Sequence, residues 1–131
     1  MILVDTSVLI DFFTGKQTIS SGKFESILTK HIPFGITPDI IQEVLQGAKT
    51  NNEFETLREY LESQVIFYAP RAKNTYISAA KIYFDLRKKG LTVRSTTDCL
   101  IAQIAIEHDL FLLHNDKDYL TISKIAPIKF F

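Results

Sequence analysis

Asp5, Glu43, Asp98 and Asp116 are the residues whose type and position point to chemistry. Asp5 follows directly on the apolar run Ile2-Leu3-Val4, and Asp116 comes just after Phe111-Leu112-Leu113. Carboxylates at the ends of buried strands are poorly placed for stability. Crowded like charges repel and raise each other's pKa unless a cation neutralises them. A chain that tolerates this usually holds a divalent metal there, and the metal usually does chemistry. The donors are oxygens, with a single cysteine and three scattered histidines, so Mg2+ or Mn2+ suits the set and zinc does not. His31, His108 and His114 read as surface or loop residues, and Cys99 as packing on a buried helix. Such a metal generates hydroxide from bound water and clamps the oxygens of an in-line phosphoryl displacement. No P-loop or dinucleotide glycine pattern is present, so no nucleotide cofactor is expected.

The elements that must position these acids follow from apolar periodicity. Residues 2–5 read as a short buried strand. A helix follows, with Thr6 or Ser7 as its cap, Val8, Leu9, Phe12 and Phe13 as its stripe, and Gly15 as its stop. A second helix is expected over 21–30 and a strand at Phe34-Gly35-Ile36. Thr37-Pro38-Asp39 opens the next helix with a hydroxyl cap, an early proline and an acid near the positive end. Further helices are expected from Asn51, over 71–88, and from Thr96. Strands are expected at 65–68, 110–113 and, at the edge, 127–131, where Pro127 is tolerable. This alternation predicts an α/β fold, a three-layer α/β/α sandwich whose central sheet is mostly parallel and four- to five-stranded.

That topology makes the acids converge. Ligands of open parallel sheets bind outside the carboxyl ends of the strands, where Asp5 and Asp116 already lie. A tight turn near His108-Asp109 forces the helix carrying Asp98 to run antiparallel to the strand after it. The helix start, and Asp98 with it, therefore returns to the same edge. Glu43 sits in the second turn of its helix and must reach back about 1.5 turns. Taken singly, Asp98 has an alternative as a first-turn helix acid, Glu43 as a solvated helix residue, and Asp116 and Asp118 as loop charges. Asp5 is the hardest to dismiss, because a strand end so close to the core rarely carries a free charge.

Bulk properties bound the function. The 131 residues fit one domain spanning 1–131, and 46% apolar against 23% charged residues suit a packed core. Fifteen basic and fifteen acidic residues leave no net charge, which argues against a general nucleic-acid coat protein but not against a local basic groove. One cysteine suits a reducing cytosol, and a cytoplasmic protein is expected. Asp5 and Asp11 interrupt the opening apolar stretch, so it does not read as a signal peptide. No apolar run reaches the ~18 residues of a membrane span. Arg87-Lys88-Lys89 closes a long helix, where cations suit the negative end of the dipole.

Four segments in order carry a resemblance: MILVDTSVLID at 1–11, PDIIQEVLQG at 38–47, TDCLIAQIA at 97–105 and LLHNDKDY at 112–119. Together they resemble the successive motifs of the PIN domain, above all in VapC-type ribonuclease toxins of type II toxin–antitoxin systems. The resemblance spans essentially the whole chain. It implies that Asp5, Glu43, Asp98 and Asp116 are the catalytic and metal-binding acids, with Asp118 as a further assisting acid and Ser7 as a supporting hydroxyl. It implies Mg2+- or Mn2+-dependent endoribonuclease activity leaving 5′-phosphate and 3′-hydroxyl ends, inhibition by a cognate antitoxin, and a homodimer. Tyr119 departs from the phenylalanine commoner at that place. Within this reading Asp5 bridges metal and nucleophile, Asp98 and Asp116 complete the shell, and Glu43 acts through water. Arg94 is a candidate phosphate contact, with a solvated loop arginine as the alternative. Asp11, two turns into its helix, stays outside the site. Competing readings are a PIN nuclease that matures RNA without being a toxin, a phosphoacceptor receiver domain, and a non-catalytic module holding a structural metal. Glu43 and Asp98 lie on helices, which fits a receiver domain poorly.

Overall fold

The computed structural model describes residues 1–131. Five strands and seven helices alternate along it: β1 (Ile2–Val4), α1 (Thr6–Phe13), α2 (Ile19–Thr29), β2 (Phe34–Ile36), α3 (Pro38–Leu45), α4 (Asn51–Glu62), β3 (Val65–Ile66), α5 (Lys73–Lys88), α6 (Thr96–Glu107), β4 (Phe111–Leu113), α7 (Asp118–Ile122) and β5 (Lys129–Phe130). Every strand pair is parallel and the order is β3-β2-β1-β4-β5. Parallel strands need crossovers, and helices supply each one. α1 packs on α2 and α3, and α3 on α4; α5 packs on α6, and α6 on α7. These two groups are the outer layers of the expected α/β/α sandwich.

The chain leaves β1 toward β2 on one side and later returns to β4 on the other. The β1/β4 boundary is therefore the point where strand order reverses, the usual place for a ligand crevice in such sheets. Register fixes it closely: Val4 pairs with Leu113, and the Asp5 amide donates to the Leu113 carbonyl at 3.0 Å. Leu3, Val4 and Leu112 are wholly buried, so the end of this strand pair cannot shift without uncovering core. α6 is buried on Cys99, Leu100, Ile101, Ala102, Ile104 and Ala105, as its all-round apolar sequence anticipates. Asp109, at φ 56°, and the Leu110 amide bonded to the Ala105 carbonyl make the tight turn that reverses α6 into β4. Arg71 and Thr75 pin the far end of α6 through Glu107, at 2.8 and 3.0 Å.

The differences from expectation are local. The cap of α1 is neither Thr6 nor Ser7 but Asp5, whose side chain accepts from the Ser7 amide. α7 was not foreseen: a five-residue helix has too little sequence to show a period. β3 and β5 are two residues each, shorter than the apolar runs that contain them. No helix is long and apolar enough to cross a membrane.

Gly35 in β2 marks a close approach. A Cβ there would meet the Phe67 ring and lie 2.7 Å from the Val65 carbonyl oxygen, so backbone itself would have to move. Gly35→Ala should therefore lose about 1–3 kcal/mol in urea unfolding with an unchanged m-value. Gly22→Ala, in α2 with open space around the new methyl, should gain about 0.5–1 kcal/mol. Equal effects at the two positions would contradict the packing described for β2 and β3.

Candidate metal centre

Asp5 reaches the site because β1 delivers it there and α1 begins on it. Its Oδ2 accepts from the Ser7 amide at 3.0 Å and the Ser7 hydroxyl at 2.6 Å. Its Oδ1 accepts from the Tyr119 hydroxyl at 2.6 Å. A carboxylate oxygen has two acceptor directions, so Oδ1 keeps one free. Tyr119 is wholly buried, and burial beside Asp5 pushes its hydroxyl well above the usual phenol range. It is a fixed donor. The Ser7 hydroxyl also accepts from the Asn115 amide at 2.9 Å, tying the start of α1 to the loop after β4.

Asp98 enters from the first turn of α6. It is 6% exposed, and its Oδ2 is buried with no hydrogen-bond partner. A helix N-terminus favours negative charge, but here burial and the neighbouring Asp5, Asp116, Asp118 and Glu43 prevail. They push the Asp98 carboxyl up to about 8. A plain first-turn acid would be solvated and would have no such shift, so that alternative fails for Asp98.

Asp116 and Asp118 arrive together from the β4–α7 connection. The Asp118 amide donates to Asp116 Oδ1 at 2.9 Å, and the Asp116 amide to His114 Nδ1 at 3.1 Å. Arg94 bridges both acids: Nη2 to Asp116 Oδ1 at 3.0 Å, and Nε to Asp118 Oδ2 at 3.4 Å, with its backbone amide at 2.9 Å from the same oxygen. Both Arg94 contacts to Asp118 fall on Oδ2, and the contact to Asp116 on Oδ1. Asp118 is buried and is no loop charge. Glu43 stands at the rim on α3, held by the Thr6 hydroxyl at 2.9 Å. Burial raises its carboxyl, and so do the nearby charges of Asp5, Asp39 and Asp116, against the lowering effect of the Thr6 bond.

All of the acids expected from the sequence thus come to one sheet edge, but not equally. Asp98, Asp116 and Asp118 each offer an oxygen within 4.8 Å of the others. Two ligands of one octahedral Mg2+ lie about 3–4 Å apart, so small rotations would seat all three. An oxygen-only set with a partnerless buried carboxylate atom fits a hard divalent cation. Asp5 and Glu43 border this trio. Three residues of the site went unrecognised in the sequence: Thr6, Tyr119 as a donor, and His114. His114 is half-buried rather than a surface residue; its ring packs on Tyr119 and Phe130, and burial lowers its pKa. His31 and His108 are exposed as expected, and Cys99 is packing, with burial pushing its thiol up to about 11. Asp11 stays outside the site, although it is buried and accepts from Asn115 Nδ2 at 2.7 Å, which steadies the same loop.

Comparison with known proteins is consistent with this geometry. The PIN domain family profile matches residues 2–125. Ribonuclease VapC11 of Mycobacterium tuberculosis is 32% identical over 130 residues, covering 98% of this chain and 96% of that protein. Among solved structures, VapBC2 from Rickettsia felis, bound to a DNA fragment from its promoter, superposes with a TM-score of 0.74 at 19% identity, covering 100% of this chain and 98% of that one. A toxin–antitoxin complex from Klebsiella pneumoniae gives 0.64 at 25% identity, with 98% and 99% covered.

A raised acid destabilises the fold once it ionises. Stability linked to Asp98 is fully present below the unfolded carboxyl value near 4 and is lost as pH rises toward about 8. In metal-free buffer, Asp98→Asn should match the parent near pH 4 and melt at increasingly higher temperature up to about pH 8, then hold a constant lead. Millimolar Mn2+ should raise the parent's melting temperature and leave the variant's nearly unmoved. A pH-independent difference between the two would contradict the burial of Asp98.

Proposed function

The chain belongs to the PIN domain family, and from that premise we propose that it is a Mg2+- or Mn2+-dependent endoribonuclease. It is the toxin of a type II toxin–antitoxin system and is neutralised by a cognate antitoxin. The observation that carries this reading is the partnerless Asp98 Oδ2 inside a ring of carboxylates at the β1/β4 crevice. The 32% identity to a named ribonuclease over nearly the whole chain supports the activity. The toxin–antitoxin complex among its structural neighbours supports the partner. A cytoplasmic homodimer is part of the same reading.

Asp98, Asp116 and Asp118 would hold the cation, with Asp5 beside them. The bound metal supplies a Lewis acid for the scissile phosphate and lowers the pKa of a water at neutral pH. The protein does the rest by positioning. Ser7 and Tyr119 lock the Asp5 carboxylate in one orientation, so its free acceptor direction on Oδ1 points consistently. Glu43 uses Oε1 to accept from Thr6 and has Oε2 for a water. Its raised pKa brings proton exchange closer to neutral pH, as general acid–base work requires. Arg94 neutralises Asp116 and Asp118 in the metal-free protein. With those carboxylates engaged by a divalent ion, the Arg94 guanidinium would be free to meet a phosphate, which its fork suits.

Asp5→Asn tests the reading, because asparagine caps a helix as well as aspartate does, and the acceptor lost toward the Tyr119 hydroxyl is offset by one charge fewer among the crowded acids. The variant should lose RNA cleavage in Mn2+ by on the order of 100-fold or more, while its melting temperature changes little. Cleavage by the parent should stop on adding EDTA, and its products should carry 5′-phosphates. Co-expression of the product of a short reading frame beside the gene should restore growth. Folded parent protein that leaves total RNA intact in Mn2+ would overturn the enzyme reading, and undiminished cleavage by Asp5→Asn would overturn the site.

A further inference from the structure

Two shallow grooves run outward from the acids. The inner one, about 490 Å3, is lined by Arg94 and Asp118 of the site together with Lys117, Thr121 and Lys124. The outer one, about 630 Å3, is lined by Asp85, Lys88, Lys89, Lys124 and Ile125. Lys124 borders both, so they form one path. Lys88, Lys89, Lys117 and Lys124 are exposed, and none takes part in an ion pair. The acids on the path are already matched: Asp85 by Lys81 at 2.7 Å and Asp118 by Arg94. The path is therefore net positive in a chain whose total charge is zero.

The helix dipole accounts for Lys88 and Lys89 at the end of α5 and suits Lys124 just past the C-terminal end of the short α7, but it opposes Lys117. Lys117 is the N-cap of α7, an unfavourable place for a cation, and Lys124 lies beyond the other end of that helix. Cations from separate elements thus line one path that starts at the candidate metal centre. We propose that this strip binds the sugar–phosphate backbone of single-stranded RNA on one side of the scissile bond. The inference rests on the nuclease reading and names how the substrate is held. The only apolar linings are Leu120 and Ile125; the exposed Phe84 ring, 5.3 Å from the Lys88 ammonium, does not line either groove. Without a stacking surface the strip contacts phosphates, so its contribution is independent of base sequence.

The test is the triple variant Lys88→Ala, Lys89→Ala, Lys124→Ala, which leaves every acid and Arg94 in place. The probe is a fluorescein-labelled, mixed-sequence, single-stranded RNA 12-mer, followed by anisotropy in EDTA so that nothing is cut. The variant should bind about tenfold or more weakly at low salt, and its log Kd against log salt should be flatter by about 2, at about 0.7 per lost contact. In Mn2+ its KM for long RNA should rise while kcat stays within about twofold. Lys30→Ala with Lys49→Ala removes two exposed cations that line neither groove and should change neither slope nor affinity. The strip is overturned if the parent does not bind the 12-mer, if the folded triple variant matches the parent, or if the control pair loses as much. Parent protein that cuts RNA while the triple variant equals it sinks the strip alone. Lysine-dependent binding of the 12-mer without cleavage by the parent sinks the nuclease reading instead.

Discussion

The structure depends on like charge crowded at the carboxyl ends of β1 and β4. Five carboxylates meet there: Asp5, Glu43, Asp98, Asp116 and Asp118. Three of them are nearly buried. In an isolated core this arrangement would not persist, since removing a carboxylate from water costs several kcal/mol unless it is paired or protonated. Each acid is managed differently. Asp5 is satisfied by hydroxyl and amide donors, Asp116 and Asp118 by Arg94, and Glu43 by Thr6. Asp98 alone has no donor on its buried oxygen, and burial among the other acids raises its pKa instead. The repulsion left over is what a divalent ion bound among these carboxylates would relieve.

The rest of the fold resists that repulsion. α6 is fixed at one end by the Glu107 network and along its length by apolar burial, so Asp98 cannot swing to solvent. β1 is flanked on both sides by parallel strands, which holds Asp5 in register with the β4 end. The β4–α7 connection is tied to α1 through Asn115 and to α2 through Ser20, whose hydroxyl donates to the His114 carbonyl at 2.7 Å. A rigid scaffold under an electrostatically strained edge is how a carboxylate site is kept preorganised for chemistry rather than relaxed for stability.

Much of this was legible in the sequence for a definite reason. Asp5 and Asp116 stand beside short apolar runs that can only be buried strands. Asp98 follows by geometry, because one tight turn at Asp109 reverses its helix against β4. Those inferences use local chain direction alone. What stayed hidden depends on contacts across long stretches of chain. The burial of Asp118 rests on Arg94, 24 positions away, and the holding of Glu43 on Thr6, 37 positions away. The Tyr119 hydroxyl meets Asp5 across 114 positions, so only a departure from the usual phenylalanine hinted at it. The sequence does not single out Asp5 as the cap of α1, because the two hydroxyl residues beside it fit the cap pattern equally well. The helix dipole explained Lys88 and Lys89 in the sequence; Lys124 joins them only once the grooves are seen.

A divalent cation held at this crowded edge would take the place of the Arg94 guanidinium on Asp116 and Asp118. Anomalous diffraction from crystals grown with Mn2+ tests it most directly. The account predicts a manganese peak among the carboxylate oxygens of Asp98, Asp116 and Asp118, within about 2.4 Å of at least two, and the Arg94 guanidinium withdrawn from Asp116. A fully formed Arg94–Asp116 pair with no anomalous peak at saturating Mn2+, or manganese bound only elsewhere on the protein, would contradict it.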